Sequence, residues 1–323
     1  MGTGTVIVGV AKQASLGTAI ANAGFAHGLI SGGLTIEPTQ EADPLTSASL
    51  SPTSVFRSRI ETSASYKTRT FYKSLGLYLY GILGAIATTG AQAPYQHVLT
   101  EGATTPYLTW FEKSLDGTLL QSRDGKVTET EIAWEENSPL DLSISGIGGV
   151  FAVLASMTPT VDESGSANYF TPVGGTFKYD VDGSTLAAAS ILGGSIAVKR
   201  GSEQKFFSGV LEAGDHHDGK LDCSVSFKIA PEDIDIWQTL LTGTAAGTAI
   251  ATTPVYGSFE VIFTDGTNIL KVEASKVAFS CSKPEADPDN GMPDVDLSGI
   301  CLSPGGVTPS PIKCTLTNAQ ATY

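Results

Sequence analysis

The chain is poor in charge, in cysteine and in histidine. Only 16% of its 323 residues are charged, and it has four cysteines and four histidines. Four cysteines are too few to build a disulfide framework in a chain of this length. Cys223 and Cys281 fall on the apolar side of predicted strands, so we expect buried, reduced thiols. Because 41% of the residues are hydrophobic, a disordered chain is excluded.

The chain also lacks a long apolar run and a basic excess. Its longest apolar run, Leu75–Ala87, contains three glycines and is shorter than the about 20 residues that a membrane-spanning helix needs. No basic residue precedes Val6–Ala11, so no secretory signal is predicted. The net charge of -14 argues against tight binding of nucleic acid, although not against a surface that nucleic acid slides past.

Catalytic and cofactor motifs are missing as well: GxSxG, HExxH, Walker and GxGxxG patterns do not occur in context. His216 and His217 could bind a metal, but adjacent residues on a turn rarely converge. An acidic cluster resembles a calcium loop only faintly, because its spacing before glycine is wrong. That cluster consists of Asp287, Asp289, Asn290, Asp294 and Asp296. We therefore predict no enzyme, no cofactor and no metal site.

Strand signals, by contrast, are abundant. Leu221–Ile229 and Gly257–Phe263 alternate apolar and polar residues, the pattern of half-buried antiparallel strands. Asp-Gly pairs such as Asp218-Gly219 and Asp265-Gly266 separate such segments and indicate hairpin turns. These signals predict a mainly β fold.

The order of the predicted elements occurs twice. Strand, polar stretch, strand, helix and three further strands recur with offsets of 161, 160 and 153 residues. The anchors of these offsets are Thr35 and Ile196, Phe71 and Pro231, and Ser145 and Ser298. A repeat of this length is a domain, so we predict two tandem β-sandwich domains, 25–160 and 161–302. Residues 1–24 and 303–323 are predicted to be extended terminal arms.

Each predicted domain has one flanking helix. The second, Pro231–Thr242, has a single apolar stripe and suits packing on a sheet. The first, Phe71–Ala87 with Thr70 as its cap, is apolar nearly all round. It is either a deep core helix or a helix buried partly by a neighbouring subunit. The candidates for that subunit interface are Phe71, Leu75, Leu79 and Leu83.

Two polar stretches occupy matching places, Pro38–Phe56 and Arg200–Lys220. Long loops in compact domains are usually functional. We expect the first loop to reach outward, with Asp43, Pro44 and Phe56 as contact candidates.

Several segments resemble tail tube proteins of long-tailed bacteriophages. They are Gly9–Ala19, the step ending at Leu83-Gly84, Tyr95–Thr100, Tyr107–Glu112, Gly125–Val127 and Leu140–Gly146. The resemblance covers most of the chain. It implies a structural virion protein, made in the host cytoplasm and located in the tail. Rings of β domains with a continuous inner β-barrel would stack through long loops and terminal arms.

The resemblance also implies partners. The lumen would hold the tape-measure protein and pass double-stranded DNA, and tail terminator and baseplate proteins would meet the tube ends. Family rings have six tube domains, so two domains per chain give a pseudo-hexameric ring of three chains; a single tube domain gives six chains. Two other functions remain open: a secreted or surface β-sandwich adhesin module, and a hydrolase on a β scaffold.

Glu129 and Glu131 lie on one face of a predicted strand, Lys126–Trp134. With the acidic composition, they are candidates for lining a net acidic lumen. An outer, solvated face explains the same alternation equally well.

Overall fold

The computed structural model describes residues 6–18, 20–42, 54–231, 234–284, 293–306 and 310–323. The prediction of a mainly β fold is confirmed. The elements of the first half are β1 (Ile7–Lys12), β2 (Phe25–Gly28), β3 (Ser31–Ala42), β4 (Val55–Arg69), α1 (Leu75–Leu83), β5 (Gly84–Thr89), β6 (Tyr95–Glu101), β7 (Leu108–Lys113), β8 (Leu119–Glu135), β9 (Asp141–Ile147), β10 (Phe151–Leu154) and β11 (Val161–Asp162).

The second half contains the remaining elements. They are β12 (Thr176–Asp180), β13 (Ala187–Ala188), β14 (Ile191–Arg200), β15 (Glu203–Phe206), β16 (Ala213–His217), β17 (Leu221–Ile229), α2 (Asp235–Thr242), β18 (Gly257–Thr264), β19 (Ile269–Ser280), β20 (Val295–Cys301) and β21 (Lys313–Asn318).

Eight antiparallel strands form one continuous sheet across both halves, in the order β3, β4, β9, β8, β14, β17, β20, β19. We call it the main sheet. The two halves meet where Glu129–Glu135 of β8 pair with Gly193–Lys199 of β14. Backbone hydrogen bonds therefore join the halves directly, without a linker between separate bodies.

The long strands β8 and β19 each serve two layers. Leu119–Gly125 of β8 pair with β7 and β10, and Ile269–Ala274 of β19 pair with β18 and β21. The layer behind the main sheet encloses a core that continues across the halves. Trp134 of β8, for example, stacks on Phe177 at a ring-centroid distance of 5.9 Å and meets Phe263 edge-on at 5.2 Å.

The pairing pattern of the first half recurs in the second. The matching pairs are β1–β2 and β12–β13, β1–β7 and β12–β18, β7–β8 and β18–β19, β8–β9 and β19–β20, β4–β9 and β17–β20, β3–β4 and β14–β17, and β8–β10 and β19–β21. A register shift occurs at Leu108/Trp110 and again at Gly257/Phe259. The two helices both end at a left-handed glycine, Gly84 or Gly243.

The first helix is shorter than predicted. It begins after Ser74 instead of Thr70, and Gly84, with φ of 91°, ends it. Residues Gly84–Thr89 then form β5, since Ile86, Thr88 and Thr89 are β-branched and pair with β6. The second helix begins at Asp235 rather than Pro231.

Both predicted terminal arms contain sheet strands. In the first, β1 pairs with β2 and β7; in the second, β21 pairs with β19 and with β6 of the other half. The predicted loop Pro38–Phe56 is partly strand too, because β3 continues to Ala42 and β4 begins at Val55. Asp43 and Pro44 lie outside the described residues. The other predicted loop contains the hairpin β15–β16.

Candidate assembly surfaces

The main sheet has one buried face and one open face. Tyr66, Ile144 and Phe227 point into the core with at most 2% of their surface exposed. Short hydroxyl side chains alternate with such residues and point away from the core. They are Ser63 and Ser65 on β4, Ser143 and Ser145 on β9, Ser195 on β14, Ser224 and Ser226 on β17, Ser280 on β19 and Ser298 on β20. The open face is therefore a wall of small neutral groups over much of its width.

Charged side chains on the open face are largely paired within it. Glu129 contacts Lys199 across the junction between the halves at 2.7 Å, and its hydrogen bond raises the pKa of Lys199. Asp141 accepts contacts from Lys67, at 3.1 Å, and from Arg69. These pairs are exposed, so each contributes little to stability. Glu129 and Lys199 cancel each other's charge, whereas Asp141 balances one of its two cations.

The two lumen candidates differ in this respect. Glu129 and Glu131 are both half-exposed on the open face, as the predicted alternation requires. Glu131 lies between Ser143 of β9 and Ala197 of β14 and has no ion pair with another described residue. Glu131 thus lacks a salt bridge, although its charge helps Glu129 to raise the pKa of Lys199.

The main sheet has open edges at both ends. Within the described chain, β3 pairs with no strand other than β4. The amide of Leu34 donates to the Glu112 carboxylate at 2.5 Å, so it points away from β4. Because amide direction alternates along a strand, the amide of Ile36 points the same way. At the other end, Ala278–Ser280 of β19 pair with β20 on one side alone, among the residues described.

Beyond β9, the strands β3 and β4 continue as a hairpin. Only Ser63–Arg69 of β4 pair with β9, whereas Val55–Thr62 pair with β3 and, at Ile60, form an isolated bridge with Glu212. Eight residues at about 3.3 Å each give a length of about 25 Å. We call residues 36–42 and 55–62 the projecting hairpin. Its apolar side chains Val55 and Phe56 are 66% and 50% exposed.

The connection between β14 and β17, residues 201–220, forms a second hairpin that lies against the first half. Gln204 donates to the carbonyl oxygens of Thr62, at 2.9 Å, and Gly148, at 2.7 Å. The amide of Phe151 donates to Glu212 at 2.9 Å. Three apolar side chains at its turn are exposed: Phe207, Val210 and Leu211.

A buried ion pair fixes the base of this second hairpin. Lys126 of β8, 3% exposed, contacts Asp218 at 3.0 Å. Thr105 donates to the same carboxylate through its amide, at 2.9 Å, and its hydroxyl, at 2.8 Å. Burial opposes ionisation of Asp218, but these hydrogen bonds and the Lys126 charge hold its pKa below the usual range. Arg200 completes the base by donating to the carbonyl oxygens of Ile82, Leu83 and Gly102.

The subunit-interface prediction for α1 needs correction. Leu75, Leu79 and Leu83 are at most 1% exposed and Phe71 is 5% exposed, all within the core of their own chain. Side chains already covered in this way have no surface left for another subunit. The deep core interpretation of the helix accounts for its apolar circumference.

The two metal candidates do not form a site in the described part of the chain. His216 is buried and His217 is exposed, because adjacent residues of β16 point to opposite faces. Of the acidic cluster, Asp287, Asp289 and Asn290 lie outside the described residues. Asp294 pairs with Lys228 at 3.3 Å.

The sequence analysis did not predict the second hairpin or the row of serines on the open face of the main sheet. The wall had a signal, since Ser63/Ser65, Ser143/Ser145 and Ser224/Ser226 alternate with core residues. The contacts of the second hairpin join distant residues, such as Gln204 and Thr62, which are 142 positions apart. No local pattern encodes such a pairing.

Comparison with known proteins gives the family. A family model described as "Phage tail tube protein" matches residues 3–300. No curated protein matches the chain. Searching the described residues finds no helix long and apolar enough to cross a membrane. The match covers nearly the whole chain, including the main sheet and both hairpins. The chain therefore belongs to the phage tail tube protein family and is a structural, self-assembling component of the virion tail.

Proposed function

We propose that three copies of this chain form each ring of the tail tube, every copy contributing two tandem tube domains. The observation that carries this proposal is the main sheet, in which two halves with the same strand pairing join edge to edge. Six such halves complete a pseudo-hexameric ring from three chains. Domain boundaries near residues 160 and 302 follow from the same repeat.

The junction inside the chain is the template for the junction between chains. β14 pairs with the side of β8 that β9 leaves free. By the matching pairing, β3 corresponds to β14 and β19 corresponds to β8. The open edge of β3 in one copy would therefore pair beside Ala278–Ser280 of the next copy. Closing this junction three times removes every open edge of the main sheet, as in a barrel.

The open face of the main sheet would then line the lumen. Its serines and paired charges suit a conduit that first encloses the tape-measure protein and later passes double-stranded DNA. The cations of this wall lie beside carboxylates, Lys199 beside Glu129 and both Lys67 and Arg69 beside Asp141, so their attraction for phosphates would be weakened. Glu129 and Glu131 would lie on this wall, and tail terminator and baseplate proteins would cover the ring faces at the tube ends.

The projecting hairpin would connect successive rings. Its exposed Phe56 and Val55 lie in the part of β4 that continues beyond the pairing with β9. The exposed turn of the second hairpin lies beside its root, since the amide of Ile60 donates to Leu211 at 2.7 Å. The exposed apolar side chains of the projecting hairpin form a surface suited to burial against another ring.

Electron microscopy of the purified protein at high concentration tests the proposal. Hollow tubes built from three-chain rings are the expected result. Monomers at every concentration and salt condition would contradict it and favour an adhesin or another binding module, an assignment that the family match does not support.

A further inference from the structure

The two connections at equivalent places in the repeat have different structures. In the first half, β3 and β4 continue into the projecting hairpin. In the second half, β14 ends at Arg200 and β17 begins at Leu221. A separate hairpin, β15–β16, lies between them. An exact repeat would give both connections the same role, so their difference indicates a division of labour.

The second connection is bound within its own chain along both arms. Gln204 bonds to β4 and to the residue after β9, and the ring of Phe206 lies under the guanidinium of Arg59 at 5.5 Å. On the other arm, Asp215 accepts from the hydroxyl of Tyr107 at 2.8 Å. Asp218 and Lys126 close the base with an ion pair that is almost fully buried.

The first connection is exposed at several of its described residues beyond its root. Among its described residues, Val55, Phe56 and Arg57 on β4 and Glu41 and Ala42 on β3 are exposed. Its contacts with the second hairpin lie at its root, at Arg59, Ile60 and Thr62. An exposed apolar strand end of this length is a pairing and aggregation hazard unless another copy covers it.

We propose that the second connection is an intramolecular clamp and that the first alone reaches another copy of the chain in the adjacent ring. The inference rests on the proposed three-chain ring. Each ring then contacts its neighbour through three projecting hairpins, not six. The six-domain ring is thereby reduced to three-fold symmetry in its stacking contacts.

Site-specific photo-crosslinking tests the division of labour. The photoreactive residue p-benzoylphenylalanine replaces Phe56 in one variant and Phe206 in another, and both proteins are irradiated as assembled tubes. We expect covalent chain dimers from position 56. Position 206 should give crosslinks within one chain, to the segment around Arg59. Chain dimers from position 206 at a yield comparable to position 56 would overturn the proposal.

Dilute, unassembled protein is the matched control. There, position 56 should give no dimers, while position 206 should still crosslink within the chain. If position 206 crosslinks within the chain but the protein never forms tubes, the result contradicts the proposed function and supports the clamp. Absence of that crosslink in the folded monomer would contradict the clamp itself.

A pair of substitutions gives an independent measurement. Gln204→Ala removes two hydrogen bonds to the first half, whereas Glu203→Ala changes an exposed neighbour on the same strand. We expect faster amide hydrogen exchange around residues 60–62 and 148–151 in Gln204→Ala and unchanged exchange in Glu203→Ala. Equal exchange in both variants would contradict the clamp.

Discussion

Serine on the open face of the main sheet combines two properties. Its side chain is short, so it leaves the wall smooth, and it is neutral, so it neither traps nor strongly repels a polyanion. The acidic composition alone predicted a net acidic wall. The structure shows a more specific arrangement, in which Glu129 and Lys199 form a pair and Glu131 does not. Pairing across strands depends on register, which composition cannot express.

Charge reversal at Glu131 should therefore affect DNA passage. Glu131→Lys places a second cation near Lys199 without adding a carboxylate to pair with it. This change of charge is repeated in every ring. We expect tubes of normal appearance and slower or blocked DNA ejection, measured by dye release from phage particles. The double variant with Glu129→Lys should be more severe, because it also breaks the pair with Lys199.

Asp116→Lys is the control, since it makes the same charge change on the exposed turn between β7 and β8. Normal ejection by the Glu131→Lys phage, equal to that of the control phage, would place the open face outside the lumen.

A second residue-scale prediction concerns the core. Leu79 is 1% exposed in α1, so Leu79→Asp buries a carboxylate without a partner. We expect a loss of about 3–5 kcal/mol or more in the free energy of unfolding, detected as an unfolded or aggregated protein. Leu79→Met should fold with a small decrease in Tm. A folded, monomeric Leu79→Asp protein with an unchanged Tm would show that the helix is not a core helix.

At the scale of elements, alternation and turn signals predicted individual strands well. Leu221–Ile229 is β17, and Gly257–Phe263 falls within β18. The predicted ends of the first helix were wrong, because an apolar run does not distinguish a helix from a buried strand that follows it. Gly84 was the available signal, since a left-handed glycine commonly ends a helix.

The open edge of β3 gives an element-scale prediction. Ile36→Pro removes an amide that points away from β4, so the hairpin should keep its own hydrogen bonds while edge pairing to another chain is lost. We expect a folded monomer by circular dichroism and no rings by analytical ultracentrifugation. Ile36→Val retains the amide and should assemble. Rings from the proline variant would show that this edge does not join neighbouring chains.

Shortening the projecting hairpin should separate ring formation from stacking. Replacing residues 41–56 with Asn-Gly leaves Gln40 and Arg57, which already pair, on either side of a two-residue turn. The core and both sheet edges are retained, so we expect isolated rings in electron micrographs in place of long tubes. Long tubes from this variant would mean that the hairpin is dispensable for stacking.

For the whole molecule, the repeated order of predicted elements was the strongest signal in the sequence, and it motivates the proposed tandem domains. The terminal strands were not predictable in the same way. β21 pairs with β6, which lies more than 200 residues earlier in the sequence. A strand whose pairing partner is so distant has the sequence pattern of an extended arm. The junction between β8 and β14 was hidden for the same reason.

The central claim is that the junction inside the chain recurs between chains. High-resolution electron cryomicroscopy of assembled tubes tests it most directly, by counting chains per ring and tracing the strand that follows β19. We expect three chains per ring, with β3 of one copy paired beside Ala278–Ser280 of the next. Six chains per ring, or neighbouring copies joined by surfaces other than these two edges, would contradict it.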